Sequence, residues 1–194
     1  MSVDESWHHR AHAAQSRSRA TIAVLDTPRG WLAVGSMNSE VESAISDGFV
    51  RLSLPQSGFI DANGPLYGKW ELDRIVLGIR IERRHCNTSG TCHGGMLALL
   101  ADMLLAMGSN LQADLSRFLP TVNLTCDFLG PALLGSWIEG RLEVLRVTNS
   151  LVFSQGLLSV QGDPILRANA VLKIVSERDP RYAAEHFLPR RKAV

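Results

Sequence analysis

Hydrophobic and polar residues alternate along several segments of the chain, as half-buried β-strands require. In IVLGIRIERR, residues 75–84, every second residue from Ile75 to Ile81 is aliphatic, and the residues between them are mostly polar or glycine. The other segments with a strand pattern are 59–70, which turns interrupt, 121–129, 137–147, 151–160 and 166–175. The last four are joined by short connections, so we expect them to be antiparallel neighbours.

A long apolar segment lies between the first two strands and the last four. Residues 96–111, MLALLADMLLAMGSNL, are rich in the helix formers Ala, Leu and Met, and Gly-Ser-Asn marks the end of the segment. Only Asp102 interrupts its apolar surface, which predicts a buried helix wrapped by the sheet. A shorter helix is predicted over 39–47, where a serine can cap it. The order of elements indicates an α+β fold with a helix against a largely antiparallel sheet.

Composition places the chain among ordinary globular proteins. It has 194 residues, of which 45% are hydrophobic, and a net charge of +1. Such a weak charge gives no field that favours nucleic acid or an anionic membrane, so we expect neither as a partner. The apolar run at 94–108 is about 15 residues long, which is shorter than a bilayer span.

The expected compartment follows from the cysteines and from the first residues. Three cysteines, two of them close together, argue against a disulfide framework and for a reducing, cytoplasmic location. The first 20 residues lack the apolar core of a signal peptide, and Asp4 and Glu5 disfavour a transit peptide. We divide the chain into an arm at 1–45, partly helical or loosely ordered, a main domain at 46–178, and a C-terminal tail at 179–194 whose basic end is expected to be solvated.

Asp102 is the carboxylate that the apolar helix has to accommodate. A charge in apolar surroundings is costly unless it is paired or functional. Asp102 is therefore a candidate general base. It could equally form a cap or pair with an arginine such as Arg80.

The helix begins with Gly94 and Gly95 after His93. Backbone N–H groups in a first helical turn have no intrahelical partner, and glycines admit a ligand closely, so this helix start could hold an oxyanion. It could also be only a tight turn. Gly94 and Asp102 are eight residues apart, or about 12 Å along a helix axis. If both act on one small group they must come from different subunits, which predicts a two-fold dimer with two composite sites.

The stretch HCNTSGTCH, residues 85–93, first suggests a zinc site. Structural zinc sites favour cysteines two to four residues apart. Here five residues separate Cys86 from Cys92, and each histidine is adjacent to a cysteine, so the side chains would point to opposite faces. We therefore expect no metal, and we interpret the three cysteines as small apolar fillers.

A family resemblance accounts for the same stretch. The pattern H85-x-N87-x-x-G90-x-x-H93-G94-G95, followed by Asp102 and later by TVNLTCDFLGPA, resembles the hotdog-fold acyl-CoA thioesterases, and most closely their phenylacetyl-CoA thioesterase-like branch. The similarity covers roughly residues 59–175. It implies a hotdog fold, in which a long helix is wrapped by a curved, mainly antiparallel sheet, and a homodimer joined through a continuous sheet. Such dimers often pair into tetramers in this family.

The resemblance also implies roles for single residues. Asp102 matches the carboxylate that acts as general base or nucleophile, and the N–H of Gly94 matches the group that polarises the thioester carbonyl. Asn87 matches the asparagine that helps to hold the carbonyl or the water. His93 would orient the loop or line the site, Gly95 would border the substrate, and His85 would support the loop.

The chain departs from the family pattern at Gly130, where some members carry Ser or Thr before the residue that matches Pro131. Thr125, on the same strand, could supply the missing hydroxyl. CoA phosphates would meet basic side chains. The candidates are Arg146, Arg167 and Lys173, although each could be a solvated charge on a strand face.

The implied activity is hydrolysis of an acyl-CoA to free acid and CoA. A medium-chain or aromatic acyl group fits a pocket lined by the helix and bordered by residues 60–67. CoA is part of the substrate, so no further cofactor is implied. Two other functions stay open: a non-catalytic acyl-CoA-binding module with the same fold, and a hotdog hydratase or dehydratase.

Overall fold

The computed structural model describes residues 45–54, 58–175 and 177–188. Almost all of the predicted arm at 1–45, most of the predicted helix at 39–47 and the basic end of the tail lie outside these residues.

The described chain forms one long helix, two short helices and an antiparallel sheet. The elements are β1 (Val50–Arg51), α1 (Gly58–Asn63), β2 (Tyr67–Glu71), β3 (Arg74–Arg80), α2 (Gly94–Gln112), β4 (Thr121–Phe128), β5 (Trp137–Val147), β6 (Leu151–Val160), β7 (Asp163–Lys173) and α3 (Ala184–Phe187). Single 3₁₀ turns occur at Arg83–His85 and Pro180–Tyr182. The predicted α+β hotdog arrangement, with a long helix against a curved antiparallel sheet, is confirmed.

The sheet has the strand order β1-β2-β3-β5-β6-β7-β4, and every neighbouring pair is antiparallel. The expectation that the last four strands are consecutive neighbours is right for β5, β6 and β7 and wrong for β4, which pairs with β7 at the edge. The reason is that the connection at 129–136 does not turn β5 back onto β4 but is bound to residues before α2 and just after β3. Cys92 N–H donates to Ala132, and Gly135 N–H donates to Ile81, so β5 begins beside β3.

Helix α2 lies against the sheet because the sheet offers small residues beneath it. A Cβ at Gly140 would lie 3.0 Å from Leu104 Cδ2, and a Cβ at Gly156 would lie 3.1 Å from the same atom. Leu100, Leu104 and Leu105 are at most 5% exposed in this contact. The close approach extends the core along the helix and lets the sheet curve around it.

The expectation that α2 is enclosed on all sides is wrong for the described chain. The sheet covers one side of the helix, and a stripe on the other side is only half-buried. The stripe consists of Ala98, Leu99, Asp102, Met103, Ala106 and Met107. These positions recur at intervals of three and four residues, so they share one helical face. Asp102 therefore lies at a surface of the protomer and not inside its core.

At 19 residues, α2 is also longer than the predicted apolar run, and by length and composition alone it could cross a membrane. Its length therefore does not exclude a membrane span, contrary to the estimate from sequence. In this fold, however, 56% of its apolar window is buried inside the protein. A helix that forms the core of a globular domain passes the same test of length and composition.

Two further segments differ from the sequence prediction. Residues 58–63 form helix α1 and not the start of a strand. None of them is buried, so their hydrophobic pattern could not predict their secondary structure. Part of the predicted tail belongs to the folded unit: Phe187 and Leu188 are 5% and 2% exposed. The indole N–H of Trp70 donates to the Leu188 carbonyl at 3.0 Å, which fixes this segment to β2.

The close packing around Gly156 gives a test of the fold. In Gly156→Ala the new Cβ would lie 2.8 Å from the backbone oxygen of Arg141, which cannot move without distorting β5. We expect a loss of about 1–3 kcal/mol in the free energy of unfolding, measured by urea denaturation. Gly58→Ala is the matched control, because nothing lies within 4 Å of its Cβ position, and it should change stability by less than about 0.5 kcal/mol. Equal stability of the two variants would contradict this packing.

Candidate active site

The stretch HCNTSGTCH folds as a short hairpin-like loop. Cys86 and Cys92 pair as an antiparallel bridge, and the flanking hydrogen bonds run from Asn87 N–H to Thr91 O and from His93 N–H to His85 O, both at 2.8 Å. A second bridge joins Thr91 to Leu133. The loop is therefore anchored on both sides where it leads into helix α2.

His85 supports this loop from within. It is 2% exposed, and its Nδ1 accepts the backbone N–H of Glu82 at 3.0 Å. Burial, and next the positive charge of Arg84, lower the pKa of His85 below its usual value of 6.5. A neutral imidazole that is fixed in this way acts as a structural support, which agrees with the role expected from the sequence.

Asn87 lies at the tip of the loop and is exposed. Its Oδ1 accepts the N–H groups of Ser89 and Thr91 at 2.9 and 3.3 Å, and its Nδ2 donates to the Thr91 hydroxyl at 2.9 Å. A side-chain amide has two donor hydrogens. The amide orientation is thus set by the loop while one N–H of Asn87 can still be donated outward.

His93 is the N-cap of α2. Its Nδ1 accepts the backbone N–H of Gly95 at 2.9 Å, and a Cβ at Gly95 would lie 3.2 Å from that nitrogen. Gly94 occupies the first helical position, and among the described residues its N–H has no hydrogen-bond partner. The helix start therefore presents one free N–H at the positive end of the helix dipole.

Asp102 lies in the middle of α2 on its half-buried stripe. The hydroxyl of Thr121, the first residue of β4, donates to Asp102 Oδ1 at 2.6 Å. The hydrogen bond to Asp102 thus comes from a threonine that the sequence did not single out, whereas Arg80 Nη1 donates to the Gly135 carbonyl. Cys126, further along β4, also lies near this carboxylate: burial, then the charges of Asp127 and Asp102, raise the pKa of its thiol.

An apolar cavity of about 480 Å³ opens beside Asp102. The half-buried stripe of α2 forms one wall, and the segment 117–121 before and at the start of β4 forms another. Tyr182 and Phe187 of the C-terminal segment line it as well. Of the predicted border at 60–67, Ile60 is the residue that lines this cavity. A volume of this size is typical of small-molecule sites.

The two halves of the predicted catalytic set lie at different places on the protomer. Asp102 lines the cavity, but none of the residues 85–95 does. Eight helical residues separate Gly94 from Asp102, which is about 12 Å of helix. A carbonyl held by the N–H of Gly94 is therefore out of reach of Asp102 in the same chain.

The predicted substrate-contacting residues of the β4 region are arranged as follows. The hydroxyl of Thr125 donates to Asn123 Oδ1 at 3.4 Å. Thr125 precedes Cys126 on the strand, so the two side chains point to opposite faces, and it is Cys126 that lies near Asp102. A Cβ at Gly130 would be no closer than 3.8 Å to Ile165 Cγ2 and the Pro164 oxygen, so a small side chain would fit there.

The basic residues predicted to meet CoA phosphates lie on the face of the sheet that points away from α2. Arg167 forms an ion pair with Asp127 at 2.7 Å and is 66% exposed. Arg146 and Lys173 are exposed near the other end of the sheet, and within the described chain Arg146 has no ion pair. The basic side chain that does line the cavity is Arg117, which the sequence did not indicate.

Among residues 45–54, 58–175 and 177–188, no group of three or more His, Cys, Asp and Glu side chains is placed to hold a metal ion. In the predicted zinc alternative, His85 and His93 would be ligands; instead, the Nδ1 atom of each accepts a backbone N–H group.

Comparison with known proteins decides the family. A family model described as "Thioesterase superfamily" matches residues 89–164, a range that contains both Gly94 and Asp102. A Pseudomonas aeruginosa protein named "Putative esterase PA0474" is 32% identical over 115 residues, which cover 59% of this chain and 85% of that protein. The chain belongs to the thioesterase superfamily.

Solved structures show the same fold for this thioesterase. Thioesterase superfamily member 2 from zebrafish superimposes with a TM-score of 0.57 at 23% identity, covering 62% of this chain and 88% of that one. The PaaI protein of the Escherichia coli phenylacetic acid degradation operon gives 0.53 at 17%, with coverages of 58% and 81%. A Streptococcus pneumoniae hypothetical thioesterase solved with coenzyme A gives 0.52 at 17%, with coverages of 59% and 88%. At these identities the likeness concerns the fold.

Proposed function

We propose that this thioesterase hydrolyses a medium-chain or aromatic acyl-CoA and that Asp102 is its general base. The observation that carries the proposal is the position of Asp102: a carboxylate held by the Thr121 hydroxyl at the wall of a large apolar cavity. The cavity accepts an apolar acyl group, and the carboxylate can activate a water molecule beside it. The Streptococcus pneumoniae structure with coenzyme A supports CoA as the thiol part of the substrate.

The reaction uses three groups. Thr121 donates to Oδ1 of Asp102, so Oδ2 is available to take a proton from water as its oxygen attacks the thioester carbon. The negative charge that develops on the carbonyl oxygen accepts hydrogen bonds from the Gly94 N–H and from the second N–H of the Asn87 amide. The tetrahedral intermediate then expels the CoA sulfur, which receives the proton from Asp102, and the free acid is left.

The distance between Gly94 and Asp102 requires that these groups come from two subunits. Strand β4 supports such a dimer because it is a long edge strand with exposed apolar residues, among them Val122 at 61% and Phe128 at 56%. Exposed edges of this kind pair readily with a second copy. The half-buried stripe of α2 supplies a second apolar surface, and two antiparallel stripes would place one Asp102 near the other subunit's Gly94.

CoA is part of the substrate, and no further cofactor is proposed. Arg146 and Lys173 stay the proposed strand residues for a CoA phosphate, because Arg167 already pairs with Asp127. Pairing of two dimers into a tetramer would use surfaces other than β4 and the α2 stripe.

Substitution of Asp102 tests the chemistry. In Asp102→Asn the acceptor of the water proton is lost while the shape of the side chain is kept, so we expect kcat/KM to fall about 100-fold or more. Release of free CoA thiol from octanoyl-CoA and phenylacetyl-CoA measures this. Asp163→Asn is the matched control: Asp163 is exposed at the start of β7, and its loss should leave kcat/KM unchanged. An unchanged rate in Asp102→Asn would exclude Asp102 as the base, and tight binding without turnover by the wild type would favour the non-catalytic module.

Mixed dimers test the composite site. Gly94→Pro removes the N–H of the first helical position, where proline is tolerated, and His93 has the extended backbone (φ −63°, ψ 136°) that a following proline requires. Gly94→Pro and Asp102→Asn should each be inactive as homodimers. Refolding them together creates heterodimers with one intact site, so activity should return to about a quarter of the wild-type level. No recovery, with heterodimers verified by mass, would mean that each site is built from one chain.

A further inference from the structure

We infer that the C-terminal segment Pro180–Leu188 forms the end wall of the cavity beside Asp102 and sets the upper length of the acyl group. This inference rests on the proposed thioesterase function. It assigns the choice of substrate to a part of the chain that lies outside the range matched by the family model, which ends at residue 164.

The cavity runs beside α2 from Asp102 towards the C-terminal end of the helix. Its lining includes Asp102, Met103, Ala106, Met107 and Asn110, which are consecutive positions on one face of α2. The eight residues from Asp102 to Asn110 span about 12 Å. An extended chain advances about 3.6 Å per three backbone bonds, or about 1.2 Å per bond, so this length accepts about ten bonds.

Aromatic rings close the far end. Phe118 and Tyr182 have ring centroids 5.6 Å apart, and Tyr182 and Phe187 stack with centroids 6.3 Å apart. All three rings line the cavity. The three rings together form an aromatic end surface, which an alkyl terminus or a phenyl ring can contact and which hinders a longer chain, while Phe118 stays 54% exposed.

Asn110 holds this wall in place. It is 4% exposed; its Nδ2 donates to the Tyr182 carbonyl at 2.7 Å, and its Oδ1 accepts the backbone N–H of Arg117 at 2.8 Å. A single buried side chain of α2 thus ties together the C-terminal segment and the segment before β4. A wall fixed by satisfied buried hydrogen bonds can discriminate by length, because it does not yield to additional methylene groups.

Two opposite substitutions test the end wall. Tyr182→Ala removes a ring at the far end, and it should raise the ratio of kcat/KM for palmitoyl-CoA to kcat/KM for octanoyl-CoA at least about tenfold. Ala106→Leu fills the middle of the cavity, so the preference should move from decanoyl-CoA towards hexanoyl-CoA. Tyr67→Ala is the control: the Tyr67 ring packs at a tilt against Trp137 and does not line the cavity, so its loss should leave the length profile unchanged.

The outcomes separate this inference from the proposed function. A wild type that turns over acyl-CoAs, with profiles unmoved in both cavity variants, overturns the end wall and leaves the thioesterase proposal intact. A wild type without turnover overturns the thioesterase proposal. In that case, the length preference can be measured by calorimetry, as the affinity for non-hydrolysable alkyl-CoA thioethers of different chain lengths. Equal length preferences in wild type and Tyr182→Ala would overturn the end wall as well.

A separate observation concerns the two cysteines that flank the Asn87 loop, and here we propose that Cys86 and Cys92 form a reversible disulfide. The two cysteines lie opposite each other in an antiparallel bridge. The hydrogen bonds of this bridge are formed by the residues on either side of the cysteines, so Cys86 and Cys92 are a non-hydrogen-bonded pair. In such pairs the Cα atoms are about 4.5 Å apart, within the range of about 4.4–6.8 Å that disulfides need, and the side chains point to the same face.

The oxidant would be a small-molecule disulfide. The half-buried Cys86 attacks it as a thiolate, one thiol leaves, and Cys92 then attacks the Cys86 sulfur and releases the second thiol. The protein loses two hydrogens and the oxidant becomes two thiols. Burial, then the neighbouring Cys86, raise the pKa of the Cys92 thiol to about 12. The second step should therefore be slow at neutral pH and faster at higher pH.

Thiol counting under oxidised glutathione tests the disulfide without reference to catalysis. The chain has three cysteines, and titration of the unfolded, oxidised protein should fall from three thiols to one. Reductant should restore three. Cys126→Ser should keep the loss of two thiols, whereas Cys86→Ser should abolish it. Three thiols after prolonged oxidation at raised pH, or an undiminished loss in Cys86→Ser, would overturn the proposal.

Discussion

The close packing of α2 on the sheet is the constraint on which the rest of the structure depends. Gly140 and Gly156 bring the strands so near to Leu104 that a Cβ at either position would crowd it. This contact uses the leucine side of the helix and leaves the opposite stripe only half-buried, beside the cavity. The stripe contains Asp102, the only carboxylate of the helix. A helix whose sequence predicts burial on all sides therefore presents Asp102 at a surface.

The division of α2 into two chemical regions follows from the same geometry. Its first turn offers a free N–H at the positive end of the helix dipole, prepared by the His93 cap and the anchored loop. Its middle offers a carboxylate oriented by Thr121. The free N–H can stabilise an oxyanion, and the carboxylate can act as a general base. The rigid spacing of the helix keeps these two groups apart within one chain. A dimer that places two such helices side by side resolves the conflict, and this is why the proposed activity depends on assembly.

In the arrangement that we propose, the C-terminal segment of the described chain contributes to substrate choice. The range that matches the thioesterase superfamily model contains α2 and strands β4 to β6. Tyr182 and Phe187, which also line the cavity beside Asp102, follow the last strand. Asn110 connects these rings to the helix. In the proposed scheme the catalytic groups lie on α2 and the loop before it, whereas the acyl-length limit is set jointly by α2 and the C-terminal segment.

The sequence by itself determined the elements whose period or chemistry is strong. The alternation at 75–84 and 151–160 and the apolar helix were sufficient for the fold class. The spacing of Asn87, Gly94 and Asp102 predicted a candidate site, and the roles of these residues stay predictions. The pattern of hydrophobic and polar residues did not predict two other segments. Helix α1 has no buried residue, and the C-terminal segment is too short to show a period.

Only the tertiary structure decided which strands pair and which polar group meets Asp102. Strand pairing depends on where the connection at 129–136 is anchored, and that connection binds residues 40 to 54 positions earlier, Cys92 and Ile81. The contact between Thr121 and Asp102 joins residues 19 positions apart on different elements. The physical reason is common to both: local propensity is encoded in neighbouring residues, whereas a hydrogen bond between distant segments exists only after the chain has closed around its core.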